Sequence, residues 1–204
     1  MEQKKKEKLK AKVLAVLGRR GSGKSCFCID MLMSTWKNKF DLIIIISPTA
    51  HLQKDLWFGD MDGQGIIMCT DLEPIIIETL ITFMQKTENL EKNVLLILDD
   101  LSFQTRDKEK AEMVDRLAFT SRHYRISVIL LAQKFTLLSP SFRSQLDHLY
   151  LFHVSNIREI SMIHQEFCCT NTFDEFKDKI RNLEDYEVLC LDNINGRIFT
   201  DNLK

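Results

Sequence analysis

The chain has 204 residues, 45% of them apolar, which is enough for a sizeable core in one large domain or two small ones. Its 28 basic and 29 acidic side chains leave a formal charge of -1, which excludes a molecule-wide positive field. Any polyanion must therefore be met by a local site.

The first eleven residues form a basic segment with lysines at 4, 5, 6, 8 and 10 against Glu2 and Glu7, expected to be a solvated tail. The apolar run after it, "VLAVL", is shorter than a secretory signal requires. No apolar run approaches the length of a membrane span. Residues 12–204 read as a single domain, since they hold three prolines and neither a low-complexity linker nor an internal repeat.

Strand-length apolar runs fall at 12–17, 42–47, 65–70, 94–99, 126–133 and 148–154, and helical spacing at 24–36, 72–86, 107–123 and 157–166. In the third helix Met113, Leu117 and Phe119 are the expected core contacts. The alternation predicts an α/β fold in which helices flank a mostly parallel central sheet. Asn195-Gly196 between two short apolar runs predicts a C-terminal hairpin.

Between the first strand and the first helix lies "GRRGSGKS", residues 18–25, the phosphate-binding loop in its required context. Gly18, Gly21 and Gly23 let the backbone curl so that amide N–H groups point at phosphate oxygens, while the following helix adds its positive end. Lys24 is expected to reach the β and γ phosphates and Ser25 to bind Mg²⁺. Arg19, Arg20, Ser22 and Cys26 complete the segment expected to line the nucleotide.

The fourth strand ends in two acids. Asp99 is placed to hold the Mg²⁺ shell, and Asp100 to orient and deprotonate an attacking water, which implies hydrolysis rather than transfer to an organic acceptor. Acids that merely cap the next helix are the alternative. The strands at 42–47 and 65–70 intervene in the chain, and an extra strand between the phosphate-loop strand and the acidic strand marks the P-loop class that activates water. The two strand tips are expected to be neighbours. "NKFD" (38–41) and "DMDG" (60–63) imitate guanine-reading and switch motifs of GTPases, but in reversed order, and read as turns.

The stretch "SRHYRISVILLAQKFTLLSPSFRSQLDHLYLFHVSN" (121–156), with "IIIISPT" and "LLILDDL", resembles the FtsK/HerA superfamily of DNA-pumping ATPases, and within it the poxvirus-type genome-packaging ATPases. The resemblance spans roughly residues 12–156. It implies that Gln133 senses the γ phosphate and that Arg122 is an arginine finger acting on a neighbouring subunit, with Arg143 a second candidate. A Gln closing a strand, a solvated Arg122 at a helix end, and an Arg143 paired with Asp147 are the alternative readings of these residues.

The resemblance further implies ATP and Mg²⁺, double-stranded DNA, a homo-oligomeric ring, and a capsid or portal-vertex protein as partner. Location in the host cytoplasm, a viral factory or the virion follows from it. The superfamily often has Glu where Asp100 stands, one methylene longer. The loop "SFQTRDKEK" (102–110) lies where the superfamily places a channel-facing loop, making Arg106, Lys108 and Lys110 candidate DNA contacts, although Asp107 and Glu109 interleave with them. The six cysteines and five histidines lack metal-ligand spacing, so a reducing compartment with buried thiols is expected. A small-molecule phosphotransferase and a non-catalytic, nucleotide-dependent assembly protein remain the rival functions.

Overall fold

The structure, a computed structural model, describes residues 9–49, 52, 57, 65–89, 91–99, 107–167 and 172–202. Residues 1–8 of the basic tail, Asp100, Arg106 and the "DMDG" stretch lie outside them.

The strands are β1 (Val13–Leu17), β2 (Leu42–Ile46), β3 (Gly65–Cys69), β4 (Val94–Asp99), β5 (Ile126–Ala132), β6 (His148–Leu151), β7 (Glu187–Asp192) and β8 (Arg197–Asn202). The principal helices are α1 (Lys24–Met33), α2 (Pro74–Gln85), α3 (Lys108–Thr120), α4 (Pro140–Arg143), α5 (Ile157–Phe167) and α6 (Phe173–Arg181). All eight strands join one sheet in the order β3-β2-β4-β5-β1-β6-β7-β8. The first six are mutually parallel, whereas β7 runs antiparallel to β6 and β8 antiparallel to β7.

Strands apolar on consecutive positions are buried on both faces, and the core divides accordingly. Val13, Ala15 and Leu17 of β1 share a cluster with Leu96 and Leu98 of β4, Leu80 of α2, Leu117 of α3, Ile160 of α5 and Phe176 of α6. Leu14 and Val16 face the opposite way, joining Ile97 of β4, Phe27 and Leu32 of α1, and Trp36, Phe40 and Trp57. Ala11 is buried and Leu9 packs on this second cluster, so the end of the basic segment lies against the fold.

The strand inserted between β1 and β4 is β5, not either of the strands at 42–47 and 65–70, which lie beyond β4. Consequently the tips of β1 and β4 are not adjacent. Asp99 pairs with Leu131, which in turn pairs with Val16, so Asp99 and Val16 stand level about 10 Å apart across β5.

Phe119 is exposed rather than in the core: a 3.6-residue repeat turns Val114, Leu117 and Ala118 inward and carries Phe119 to the outer face, while Met113 is partly buried. Helix α6 goes beyond the predicted elements. Its signal is a capping box, with Thr172 accepting from the Glu175 N–H and Glu175 reaching back to the Thr172 N–H, ahead of inward-facing Phe176 and Ile180. The terminal hairpin forms, with Gly196 at φ 63, but extends the main sheet instead of standing apart.

Phe176 is fully buried, so Phe176→Ala is expected to destabilise the protein by about 3–5 kcal/mol, measurable as a lowered urea midpoint at unchanged slope.

Candidate nucleotide site

The site lies at the C-terminal ends of β1, β5 and β4, where the direction of chain crossover reverses and parallel sheets leave a crevice. β1 enters a loop held from both sides: the Gly18 N–H donates to Ala132 O at 3.2 Å, and the Phe152 N–H donates to Leu17 O at 2.8 Å. A side chain at position 18 would not fit. A Cβ there would come within 2.4 Å of Ser22 Oγ and 2.9 Å of Phe152 Cβ.

The loop turns at Ser22, whose N–H donates to Arg19 O at 3.2 Å, and takes left-handed conformations at Gly21 (φ 76) and Gly23 (φ 94). Gly23 begins α1 without a side-chain cap, so the first-turn N–H groups keep their capacity for an anion. Lys24 turns back into the curl, donating from Nζ to Gly18 O at 2.8 Å and to Arg19 O at 3.0 Å. The Ser22 hydroxyl is buried with no hydrogen-bond partner among the described residues, a polar group suited to a phosphate oxygen. Arg19, Arg20 and Cys26 are exposed along the loop and first turn, and Ser25 is half-buried.

Across β5, Asp99 is only 6% exposed at the end of β4. Ser47, the residue after β2, donates its hydroxyl to Asp99 Oδ2 at 3.4 Å and stands 3.2 Å from Thr49 Oγ1. α1 passes near this carboxylate: burial first and the Asp99 charge second push the Cys28 thiol far above its ordinary range. Gln133 follows β5 at the crevice rim and is exposed. Ser47 lies outside the motifs legible in the sequence; its signal is being the first polar residue after a run of four isoleucines, the same strand-end position that marks the two acids.

The candidate arginines sit elsewhere. Arg122 lies between α3 and β5 at the opposite end of the sheet, beyond the full rise of β1, about 16 Å. Its Nη2 donates to Asp147 Oδ1 at 2.8 Å and to Gln145 O at 3.4 Å. Arg143, at the end of α4, pairs with Glu166 of α5, not with Asp147, and lies 4.6 Å over the Phe135 ring, with 8% of its surface exposed. Lys110 is bound by both oxygens of Asp71 at 2.6 Å, whereas Lys108 only approaches Glu112 across solvent. Asp71 is held below the usual carboxylate range, chiefly by its hydrogen bond with Lys110.

A glycine-bent loop on a central strand, a second acidic strand one place removed, and a polar strand tip between them define a P-loop nucleotide-binding protein of the kind with an inserted central strand. The chain belongs to the family described as Poxvirus A32 protein, whose model matches residues 1–187.

Among curated relatives, it is 24% identical over 186 residues to the uncharacterized protein 075L of Invertebrate iridescent virus 6, covering 88% of this chain and 70% of that one. It is 24% identical over 146 residues to the uncharacterized protein L437 of Acanthamoeba polyphaga mimivirus, covering 68% of this chain; the match spans 51% of that relative's length.

The fold is that of the genome packaging NTPase B204 from Sulfolobus turreted icosahedral virus 2 with ATP-γS: TM-score 0.72 at 17% identity over 96% of this chain and 100% of that one. The pCW3 conjugation coupling protein TcpA with ATP-γS is a wider match, TM-score 0.64 at 14% identity over 95% of this chain and 60% of that one.

Gly18→Ala is expected to weaken nucleotide binding about tenfold or more in a fluorescent-nucleotide titration, since Ser22 or Phe152 must move to admit the methyl group. In peptide-resolved alkylation of the folded protein, Cys26 is expected to label while Cys28 stays protected until unfolding.

Proposed function

We propose that this chain is an ATP-driven motor that moves double-stranded DNA, hydrolysing ATP with Mg²⁺ to load a viral genome into a capsid. The observation that carries the reading is β5 between β1 and β4, which sets Gln133 at the strand tip between the phosphate loop and Asp99. Membership of the poxvirus A32 family and a fold shared with a packaging NTPase bound to ATP analogues support it.

In this reading the amide groups of residues 18–25 bind the phosphates, and Lys24 exchanges its two carbonyl acceptors for β- and γ-phosphate oxygens. Asp100 accepts a proton from the attacking water and aims the water at the γ phosphorus, while Gln133 contacts the γ phosphate. The donor set suits Mg²⁺: the Ser25 hydroxyl and the Asp99 carboxylate are the hard oxygen ligands this ion takes, and they would hold it. When bound, it would neutralise charge on the phosphates.

Arg122 cannot serve its own phosphate loop from the far end of the sheet, so it acts on the nucleotide of the adjoining subunit in a homo-oligomeric ring. Arg143 is enclosed by Glu166 and Phe135, which leaves Arg122, with its side chain 45% exposed, as the finger.

DNA is gripped along its backbone by Lys108 and Arg106. Lys110 joins them only by leaving Asp71. The partner is a capsid or portal-vertex protein, and the place of action is the host cytoplasm, a viral factory or the virion. Cys26, Cys28, Cys69 and Cys190 are free thiols, in keeping with a reducing compartment, and no helix among the described residues is long and apolar enough to cross a membrane.

Lys24→Ala is expected to abolish turnover, and Asp100→Asn to stop hydrolysis while sparing nucleotide binding, both followed by phosphate release with and without long duplex DNA. The motor reading would be overturned by the absence of both DNA stimulation and an oligomer in solution, or by transfer of phosphate to an added small acceptor. Arg122→Ala is expected to lower the rate by about 10³-fold or more. Mixing Arg122→Ala with Lys24→Ala subunits is expected to restore part of it, because each then supplies what the other lacks.

A further inference from the structure

At the end of the sheet remote from the phosphate loop, a single carboxylate holds two things at once. Asp147 precedes β6 and has 7% of its surface exposed. Its Oδ2 accepts from the Val13 N–H at 2.8 Å, the first amide of β1, and its Oδ1 accepts from Arg122 Nη2 at 2.8 Å. Its backbone is fixed as well: the Asp147 N–H donates to Val13 O at 2.8 Å, and the Asn193 N–H donates to Asp147 O at 2.9 Å. Asp147 is thus bolted to the two central strands β1 and β6 and to the hairpin.

Arg122 is held at one point only. Its two hydrogen bonds among the described residues, to Asp147 Oδ1 and Gln145 O, both leave from Nη2, while 45% of the side chain is exposed. A guanidinium carries five N–H donors in a rigid plane, so the two acceptors on Nη2 restrain that plane and leave Nη1 and Nε with no hydrogen-bond partner among the described residues. A long exposed arginine otherwise samples many rotamers and would have to be ordered each time it met a phosphate.

We propose that Asp147 is the positioning residue of the arginine finger: it holds the Arg122 guanidinium at the subunit edge, oriented toward the neighbouring subunit's γ phosphate, while Arg122 remains bound to it. The proposal rests on the assignment of Arg122 as a finger acting between subunits. Preorganisation of this kind changes the rate of the chemical step rather than nucleotide affinity. It also links the base of the phosphate-loop strand to a group reading the adjacent nucleotide, since one carboxylate serves both.

Mixed oligomers separate this from a merely structural role. Arg122→Ala subunits have an intact nucleotide site and no finger, whereas Lys24→Ala subunits donate the finger and do not turn over. Asp147→Asn, which keeps an acceptor for the Val13 N–H, is placed in one population or the other, and ATPase kinetics are measured with duplex DNA present.

In the finger-donating Lys24→Ala subunits it is expected to lower kcat about tenfold at unchanged KM for ATP. In the Arg122→Ala subunits, which hold the working site, it is expected to change nothing. The opposite pattern, or an unchanged rate in both, would overturn the proposal by showing that Asp147 acts through β1 of its own subunit or not at all. Asp147→Glu, which keeps the charge and shifts the guanidinium, is run alongside with the same expectation, so that poor folding of the amide variant does not end the test. If Arg122→Ala alone keeps wild-type turnover, or mixing restores nothing, it is the finger assignment that fails, a result distinct from any Asp147 effect.

Discussion

The phosphate loop holds its shape because of where β1 sits. Bracketed by β5 and β6 and buried along its whole length, β1 delivers Gly18 to a fixed height. There its N–H is bound by Ala132 O, and Phe152 closes the space behind it. The curl that follows cannot relax backward without striking that ring, and Gly21 and Gly23 supply left-handed conformations that a side chain would strain. Every other part of the site is positioned relative to this fixed loop: α1 starts from it, Gln133 follows the strand that holds it, and Asp99 stands one strand further on.

The two ends of the sheet carry different chemistry. The C-terminal ends hold the Ser22 hydroxyl, buried with no hydrogen-bond partner among the described residues, and the uncapped start of α1. At the N-terminal ends, charges are paired. Asp147 joins Val13 to Arg122, and beside it His148 has its pKa held below the ordinary value by burial and by Lys12, against the opposing pull of Asp192 and Asp147. In the proposed ring, each subunit would read a neighbour's nucleotide at one end and its own at the other, with β1 running between them.

Much of this was legible in the residues. Strand runs, the phosphate loop, the acidic strand end and the Asn195-Gly196 turn depend on local backbone geometry and on burial of consecutive apolar positions, which sequence records directly. Helix α6 was less visible because its helical face is the short set Phe173, Phe176 and Ile180 amid charge, with Thr172 and Glu175 as the remaining clue. Phe119 misled because apolarity at one position does not say which side of a helix it occupies; the register of Val114, Leu117 and Ala118 does.

The sequence by itself determined that a phosphate-binding loop and a paired-acid strand exist, since glycine freedom, a lysine after it and acids after an apolar run are properties of short segments. Only the tertiary structure decided which strand separates them, that Ser47 meets Asp99, and that Arg122 rather than Arg143 is the arginine left exposed. Strand order and ion-pair partners are set by long-range packing, where residues 23 or more positions apart compete for the same contact: Asp147 took Arg122, and Glu166 took Arg143, because the sheet and α5 brought them within reach.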